Sequence, residues 1–242
     1  METSDILNRI KECDKRYLEL FCSLGREWGL YVYQDRALPE LPAHNYLLIP
    51  DHIPAVRLRG LSDVARNTAK ATGRPFLRIQ PAHPLHFNSA QCESWGRYYM
   101  SEADAFKEYP PSDLSFSAVD SNEKVQALAV FESAVSDDAD FGKRRAERFG
   151  QVYLSDSSLD CWLCYSGDEV VARGELFICD GTAKIVNVKT TQTEDMRITC
   201  ALMRHLIEQG IKLDAELIYT ESQSDLDGFT KIGDYYTVQW QF

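Results

Sequence analysis

The sequence predicts an α/β (α+β) protein in two parts, with a mixed sheet flanked by helices in the C-terminal part. Helical and strand periodicities alternate from residue 114 onward. Two tight turns, Gly167-Asp168 and Asp180-Gly181, separate three strand patterns, which makes these strands antiparallel neighbours. Consecutive prolines, Pro110 and Pro111, favour an extended connector. We therefore expect one domain over residues 1–112 and a second over residues 113–242.

The first part is expected to be a smaller α/β domain without a strong chemical motif. An apolar stripe at helical spacing begins at Ile6 and stops at Gly25, which predicts an opening helix. The other expected elements are strands at 28–33, 45–49, 75–79 and 95–100 and a helix at 61–71.

The second part is more regular. Asn122 is expected to cap the first of its helices, and Gly210 and Gly233 are expected to end two others. The expected strands are 114–119, 160–165, 170–179, 182–190, 213–220 and 235–242, and the expected helices are 122–135, 141–149, 194–209 and 224–232.

Composition restricts the class of partner. The 242 residues carry a formal net charge of -11, and residues 114–242 alone hold 22 acidic and 12 basic side chains. This field repels nucleic-acid phosphate and attracts ammonium compounds, so we expect no nucleic-acid partner. No apolar run approaches the length of about 20 residues that a spanning helix needs, and the N-terminus lacks a signal-peptide core. We therefore expect a cytoplasmic protein without a membrane partner.

The cysteine and histidine patterns favour neither disulfides nor a metal. Seven cysteines form an odd set without framework spacing, so reduced thiols are expected. Cys161 and Cys164 fall three apart on an expected strand, and would point to opposite faces. His83 and His86 lie in a proline-containing segment without clustered acidic ligands. The sequence therefore predicts no metal site.

The element order of residues 113–242 resembles the GNAT N-acyltransferase fold. The resemblance is carried by Glu169-Val-Val-Ala-Arg-Gly-Glu-Leu176, by Ala183-Lys-Ile-Val-Asn-Val188 in the family's fourth strand, and by Ala201-Leu-Met-Arg-His-Leu206 in the following helix. Phe229-Thr-Lys-Ile-Gly233 resembles a late Tyr-x-x-x-Gly element. The first part resembles a degenerate second copy of the fold, so a tandem, two-domain arrangement is expected.

The resemblance implies acetyl-CoA as cosubstrate and assigns its binding residues. Main chain at Val188 and Thr190 would hold the thioester arm, and the start of the next helix would hold the pyrophosphate. The helix positions concerned are Met196, Arg197, Ile198, Thr199 and Cys200. In the family, the loop before this helix usually has Gln or Arg, then Gly, then Gly or Ala at its key positions. Glu194, Arg197 and Thr199 occupy those positions here, so both glycines are missing. Arg197 would then contact phosphate through its side chain in place of backbone contacts.

Catalytic candidates lie on the fourth and fifth strands of the resembling fold. An ammonium acceptor must lose a proton before it attacks, and Glu221 is the first candidate base, with Glu175 and Glu216 as alternatives. Asn187 would orient water or substrate. Phe229 replaces the tyrosine that protonates the leaving thiolate, for which Tyr219, Tyr235 and Tyr236 are substitutes.

The sequence leaves three functional hypotheses open. The first is acetyl or short acyl transfer from coenzyme A to a primary amine of a small molecule, by a monomer or homodimer. The second is a GNAT-fold binding or regulatory protein that has lost acyl-CoA binding. The third is transfer from another donor, such as an aminoacyl-tRNA or an acyl carrier protein.

Overall fold

The computed structural model describes most of the chain as helices and strands. The described residues are 2–27, 29–49, 55–73, 76–79, 90–100, 113–191, 196–226 and 228–240. The described helices are α1 (Thr3–Glu19), α2 (Ala55–Thr72), α3 (Asn122–Val135), α4 (Ala139–Tyr153) and α5 (Met196–Lys212). The described strands are β1 (Ser23–Glu27), β2 (Leu30–Gln34), β3 (Leu47–Ile49), β4 (Phe76–Ile79), β5 (Ala90–Met100), β6 (Leu114–Ala118), β7 (Leu159–Ser166), β8 (Glu169–Cys179), β9 (Thr182–Thr190), β10 (Leu217–Ser222) and β11 (Thr230–Trp240).

The first compact unit contains the sheet on which the candidate site lies. Its strands follow the order β10-β9-β8-β7-β6. The segment β6 to β9 is antiparallel throughout, whereas β10 runs parallel to β9 after the α5 crossover. The expected hairpin chemistry is confirmed: Asp180 and Gly181 both have positive φ, 47° and 68°, as a two-residue turn between β8 and β9 requires.

The second compact unit also has a mixed sheet. Its strands follow the order β1-β2-β3-β4-β11-β5, with β3 and β4 parallel and β11 antiparallel to β4. A buried apolar cluster that includes Leu47, Ile49 and Trp240 forms part of its core. Mixed α/β sheets flanked by helices therefore confirm the predicted fold class.

The two compact units do not correspond to a single division of the chain near residue 112, because each unit contains segments from both halves of the sequence. Residues Met1–Arg16, Tyr98–Glu221 and Leu226–Thr230 form the first unit, and Tyr17–Arg97, Ser222–Asp225 and Lys231–Phe242 form the second. Most of α1 thus groups with the C-terminal half, and most of β11 groups with the N-terminal half. Residues 101–112, where the connector is predicted, lie outside the described residues, so the exact boundary stays a prediction.

Several expected boundaries are wrong. The predicted helix 224–232 is absent from the described residues of that segment, because β10 ends at Ser222, Gln223 and Ser224 form bends, and β11 begins at Thr230. Serine and aspartate compete for backbone hydrogen bonds and favour turns, and Gly228 has a φ of 77°. Gly233 therefore lies inside a strand. Ser121, rather than Asn122, is the N-cap of α3, and α5 continues past Gly210 to Lys212.

Close helix packing in the first unit depends on glycine. A Cβ built on Gly142 of α4 would lie 2.5 Å from the carbonyl oxygen of Glu132 in α3. A Cβ on Gly210 of α5 would lie 3.1 Å from Ile218 Cδ1, and one on Gly174 of β8 would lie 2.8 Å from Leu206 Cδ1. A Cβ at position 142 would therefore clash with the backbone of α3, whereas at positions 174 and 210 it would meet the ends of flexible side chains.

We predict that Gly142→Ala destabilises the protein by about 1–3 kcal/mol, because the new methyl group would push α4 away from the backbone of α3. Gly60→Ala is the matched control, since Gly60 is an exposed glycine of α2 whose Cβ would meet nothing within 4 Å. This control should be stabilising by roughly 0.5–1 kcal/mol. Urea unfolding followed by circular dichroism measures both effects, and equal midpoints for the two variants would contradict the packing argument.

Candidate active site

A β-bulge interrupts β9 where the sheet opens. Arg173 and Glu175 on β8 are opposite Lys189 and Val186 on β9, so two steps on one strand correspond to three on the other. Asn187 takes up the extra residue with a φ of 53°, a left-handed conformation that asparagine tolerates. The parallel pairing of β9 with β10 covers Thr182–Ile185 and Leu217–Thr220 and stops before the bulge. The last residues of β9 thus lie beside β8 alone in the described ladders.

The two faces of this sheet differ in polarity. On one face, Ala172, Ile185 and Ile218 pack with α5 in an apolar cluster. On the other face lie the alternate positions, including Arg173, Glu175 and Lys184, which are buried and charged. This polar face carries two ionic clusters, which we call the Glu132 cluster and the Asp14 cluster.

The Glu132 cluster joins α3, α4, β8 and β9. Glu132 accepts hydrogen bonds from Lys189 Nζ at 3.1 Å and Arg145 Nη1 at 3.3 Å, and it forms an ion pair with Arg173. Arg173 also pairs with Glu175. Glu175 Oε1 in turn accepts hydrogen bonds from Tyr153 Oη and Asn187 Nδ2, each at 2.9 Å. The bulge residue is therefore held by a buried carboxylate.

The charges of this cluster favour the ionised form of the Glu132 carboxyl group. Burial raises the pKa of Glu132, but the cations Arg173, Arg145 and Lys189 outweigh burial and leave the pKa below its ordinary value. Burial and the neighbouring Arg145 lower the pKa of Lys189, against the opposing effect of Glu132. The Glu132 carboxylate thus interacts with three cations, one of which, Arg173, also pairs with Glu175.

The Asp14 cluster joins α1 to β9 and β10. Lys184 Nζ pairs with Asp14 and lies 3.5 Å from Glu221 Oε2. Tyr219 Oη donates a hydrogen bond to Asp14 Oδ1 at 2.7 Å, and its side chain is fully buried. Burial and Asp14 raise the pKa of Tyr219 well above its ordinary value. Glu221, with 14% of its side chain exposed, is the outer member of this cluster.

The structure brings some of the sequence-predicted catalytic residues together. Glu221, Tyr219 and Asn187 all lie on the polar face, on neighbouring strands. Tyr235 lies in the second unit, where the guanidinium of Arg78 stacks 3.8 Å from its ring centre. Glu216 directly precedes β10, at the opposite end from Glu221, and pairs with Arg9 at 3.0 Å.

The predicted coenzyme-binding residues occupy the end of β9 and the first turn of α5. Thr190 donates a hydrogen bond from Oγ1 to the Val171 carbonyl at 3.2 Å, and Val188 packs on the apolar cluster. The remaining residues differ in exposure: Met196 and Arg197 are exposed, Thr199 is half-buried, and Ile198 and Cys200 are buried. Only main-chain groups of the last two can face a ligand. Glu194 lies outside the described residues.

Sequence reasoning missed the ionic partners of the candidate residues. Glu132, Arg145, Asp14 and Lys184 received no functional role, although Arg173 and Glu175 stand out as charges inside an apolar strand pattern. That pattern signals buried ion pairs. It does not identify the partners, because Asp14 and Tyr219 are 205 residues apart.

Cys161 and Cys164 lie on opposite faces of the sheet, as their spacing on a strand predicts. Cys164 lies in the apolar cluster beside α5, whereas Cys161 lies near Tyr153 and Arg173 on the polar face. Among the described residues, no group of three or more histidine, cysteine, aspartate or glutamate side chains is arranged to hold a metal ion. His83 and His86 lie outside these residues. None of the described helices is long and apolar enough to cross a lipid bilayer.

We predict that Glu132→Gln removes the part of the free energy of unfolding that the wild-type protein loses on acidification. The folded-state pKa of Glu132 is lowered, so its contribution is present above the unfolded value of about 4.3 and is lost as the pH falls through the folded value. At pH 7 the variant should be less stable than wild type by about 3–5 kcal/mol, because three cations lose a shared carboxylate.

The test is urea unfolding at pH values from 7 down to 3. The difference between wild type and Glu132→Gln should shrink below about pH 4. Glu147→Gln, at an exposed position of α4, serves as the control and should follow wild type at each pH. A wild-type–variant difference that is independent of pH would contradict the proposed ionisation of Glu132.

Comparisons with known proteins support the architecture. No family model and no curated protein sequence matches the chain. Among solved structures, a GCN5-related N-acetyltransferase from Kribbella flavida is similar over 97% of this chain and 95% of its own, with 14% identity and a TM-score of 0.69. A tandem GNAT protein from the clavulanic acid biosynthesis pathway is similar over 95% of each chain, with 12% identity and a TM-score of 0.55. A functionally unknown protein from Staphylococcus epidermidis has 14% identity and a TM-score of 0.64, over 90% of this chain and 93% of its own. The chain therefore has the GNAT fold, in the two-domain layout that its sequence predicts.

Proposed function

We propose that the protein is an acyl-CoA-dependent N-acetyltransferase that transfers an acetyl or short acyl group directly to a primary amine of a small molecule. The observation that carries this proposal is the opening between β9 and β10. The strands cease to pair at the Asn187 bulge, and the chain then leads to the first turn of α5. This arrangement leaves main chain beside the opening and the start of a helix at its end, and the first backbone N–H groups of a helix have no intrahelical acceptor.

The groups required for the acyl donor are present in that region. A pantetheine arm needs an extended strand edge, and a pyrophosphate needs the positive end of a helix dipole. Main chain at Val188 and Thr190 would meet the first need, and amides of Met196 to Cys200 would meet the second. Arg197, exposed in the first turn of α5, would add a cation beside the phosphates.

Glu221 is the proposed general base. Its carboxylate lies at the outer end of the Asp14 cluster, on the face opposite α5, and retains partial contact with solvent. It would take a proton from the acceptor ammonium, through an ordered water where direct contact is not possible. The neutral amine then attacks the thioester carbon, the C–N bond forms, the C–S bond breaks, and coenzyme A leaves as the thiolate.

Asn187 and Tyr219 are assigned different roles in this proposal. Asn187 lies at the bulge, where its conformation sets the path of main chain toward Val188. Tyr219 is buried, and its hydroxyl is engaged by Asp14, so we assign it a positioning role rather than that of an acid. A thiolate is a good leaving group at neutral pH and can depart without a dedicated acid.

We predict that acetyl-CoA and CoA each raise the melting temperature of the protein. A ligand present at 100 times its Kd adds about 2.7 kcal/mol to the apparent free energy of unfolding. Arg197→Glu should weaken this effect by reversing the charge beside the phosphates. Lys143→Glu makes the same charge change at an exposed site of α4 and should leave the titration as in wild type.

The same titration separates the two principal hypotheses. If neither compound shifts the melting temperature or binds in calorimetry, the protein has lost the acyl carrier and the binding or regulatory hypothesis replaces the enzymatic one. If both variants bind like wild type, Arg197 takes no part in the site.

We predict that Glu221→Gln lowers kcat/KM with a responsive primary amine by about 10²-fold or more, since the acceptor loses its base. The Kd for acetyl-CoA should stay close to the wild-type value. Glu216→Gln, at the position just before the other end of β10, provides the matched control and should retain activity. Thiol release and the mass of the acylated product measure the reaction, and full activity of Glu221→Gln would remove this residue from the mechanism.

A further inference from the structure

Helix α1 contributes side chains to the polar face of the sheet in the first unit. Arg9 donates hydrogen bonds from Nε to Thr182 Oγ1 at 3.1 Å and from Nη2 to the Gly181 carbonyl at 2.9 Å. These contacts attach the helix to the turn between β8 and β9. Further along α1, the Asp14 carboxylate pairs with the ammonium group of Lys184 on β9. The helix therefore adds a carboxylate to the strand that carries the bulge.

The Lys184 ammonium joins the Asp14 carboxylate to that of Glu221. Lys184 and Tyr219 occupy paired positions on β9 and β10, and Glu221 follows Tyr219 by two residues, so all three side chains share one face. Lys184 Nζ lies 3.5 Å from Glu221 Oε2, and 6% of the lysine side chain is exposed. Solvent ions screen such a contact weakly. A change of charge at Lys184 should consequently act on Glu221.

The titratable groups beside the end of β10 act on Glu221 in opposite directions. They include the Lys184 cation of β9, the Asp14 carboxylate and Cys13 thiol of α1, and the Tyr219 hydroxyl of β10. Burial raises the pKa of Tyr219, and Asp14, Cys13 and Glu221 raise it further, so both carboxylates act on the same hydroxyl. A cation beside a carboxylate stabilises its ionised form, whereas a second carboxylate destabilises that form. Asp14 therefore offsets part of the effect of Lys184 on Glu221.

We propose that Asp14 and Lys184 are positioning residues for Glu221, so that α1 takes part in the proposed acyl transfer through β9. This inference rests on the proposed function, in which Glu221 takes a proton from the acceptor ammonium. Lys184 holds the Glu221 carboxylate at the outer end of the cluster and favours its ionised form. Asp14 holds Lys184 and limits that preference, which leaves Glu221 basic enough to accept the proton.

Two substitutions that remove opposite charges test this inference. Lys184→Met should raise the pKa of the acid limb of kcat/KM by about 1 unit, because Glu221 loses a neighbouring cation. Asp14→Asn should lower the same pKa by roughly 0.5 unit, because Glu221 loses a neighbouring anion. Lys143→Met and Asp168→Asn make the same changes at exposed positions and should leave the profile as in wild type. A loss of packing alone would not move the limb in opposite directions.

Carbon-13 NMR of the Glu221 carboxyl group measures the same shifts in the full chain without catalysis. The resonance is identified by its absence in Glu221→Gln and is titrated in wild type and in both variants. Shifts of opposite sign would support the inference, and an unchanged titration in both variants, or shifts of the same sign, would overturn it. Full activity of Glu221→Gln would instead defeat the proposed function, and the NMR titration would still decide whether Asp14 and Lys184 act on Glu221.

Wild type and Glu221→Gln together provide a second measurement, which does not depend on the folding of variants at the buried positions. The Lys184 Cε resonance of wild type should move over the pH range in which the Glu221 carboxyl group titrates, because the two groups are in contact. Glu221→Gln should remove that movement. A Lys184 resonance with the same pH dependence in both proteins would overturn the inference.

Discussion

The ion pair between Glu132 and Arg173 is the interaction on which the first unit depends. Each side chain is about 2% exposed, and each belongs to a different layer, since Glu132 lies in α3 and Arg173 in β8. Removing two charges from water is costly, and the cost is offset only when the geometry is good and the other lone pairs are satisfied. Glu132 Oε2 also accepts hydrogen bonds from Arg145 of α4 and Lys189 of β9. The helical layer is thereby fixed in register with the sheet.

That register determines where the bulge lies. Arg173 pairs with Glu175, and Glu175 accepts a hydrogen bond from Asn187, so the buried charges extend from α3 to the bulged residue. A slip of one residue along β9 would exchange its two faces and would place Lys184 and Lys189 in the apolar cluster with α5. The bulge is consequently part of the packing pattern, and the opening beside β10 follows from it. The glycines at 174 and 210 contribute from the other face, where they allow α5 to pack close to the same strands.

Sequence alone predicted the elements that local interactions determine. The bounds of α3 and β9 agree with expectation, as do the two hairpins, because capping, periodicity and turn residues act within a few positions of the chain. The prediction of a helix over 224–232 was wrong because serine, aspartate and glycine in this segment resemble helix-capping residues but favour turns. The short strand β1 was missed because all of its residues are exposed, so it lacks the apolar alternation that marks a strand.

The candidate site was only partly predictable, since its residues come together through pairs distant in sequence. Glu221, Asn187 and Tyr219 could be proposed from strand positions, whereas their partners could not. Asp14 reaches Lys184 across 170 positions, and Lys189 reaches Glu132 across 57. A charged residue in an apolar strand indicates that a partner exists, but the chain contains 37 acidic side chains among which to choose. Only the packing of α1 and α3 on the polar face makes that choice.

These pairings also change which cations are available to an acyl donor. Lys189 and Arg204 are close to Arg197 in the sequence, which would allow all three side chains to contact the same phosphates. Lys189 instead points to the polar face and contacts Glu132, on the opposite side of the sheet from α5. Arg204 pairs with Glu208 at 2.9 Å on the helix surface, an interaction worth up to about 1 kcal/mol that a phosphate could displace. Arg197 is exposed in the first turn of α5, whereas the Lys189 ammonium lies on the polar face of the sheet.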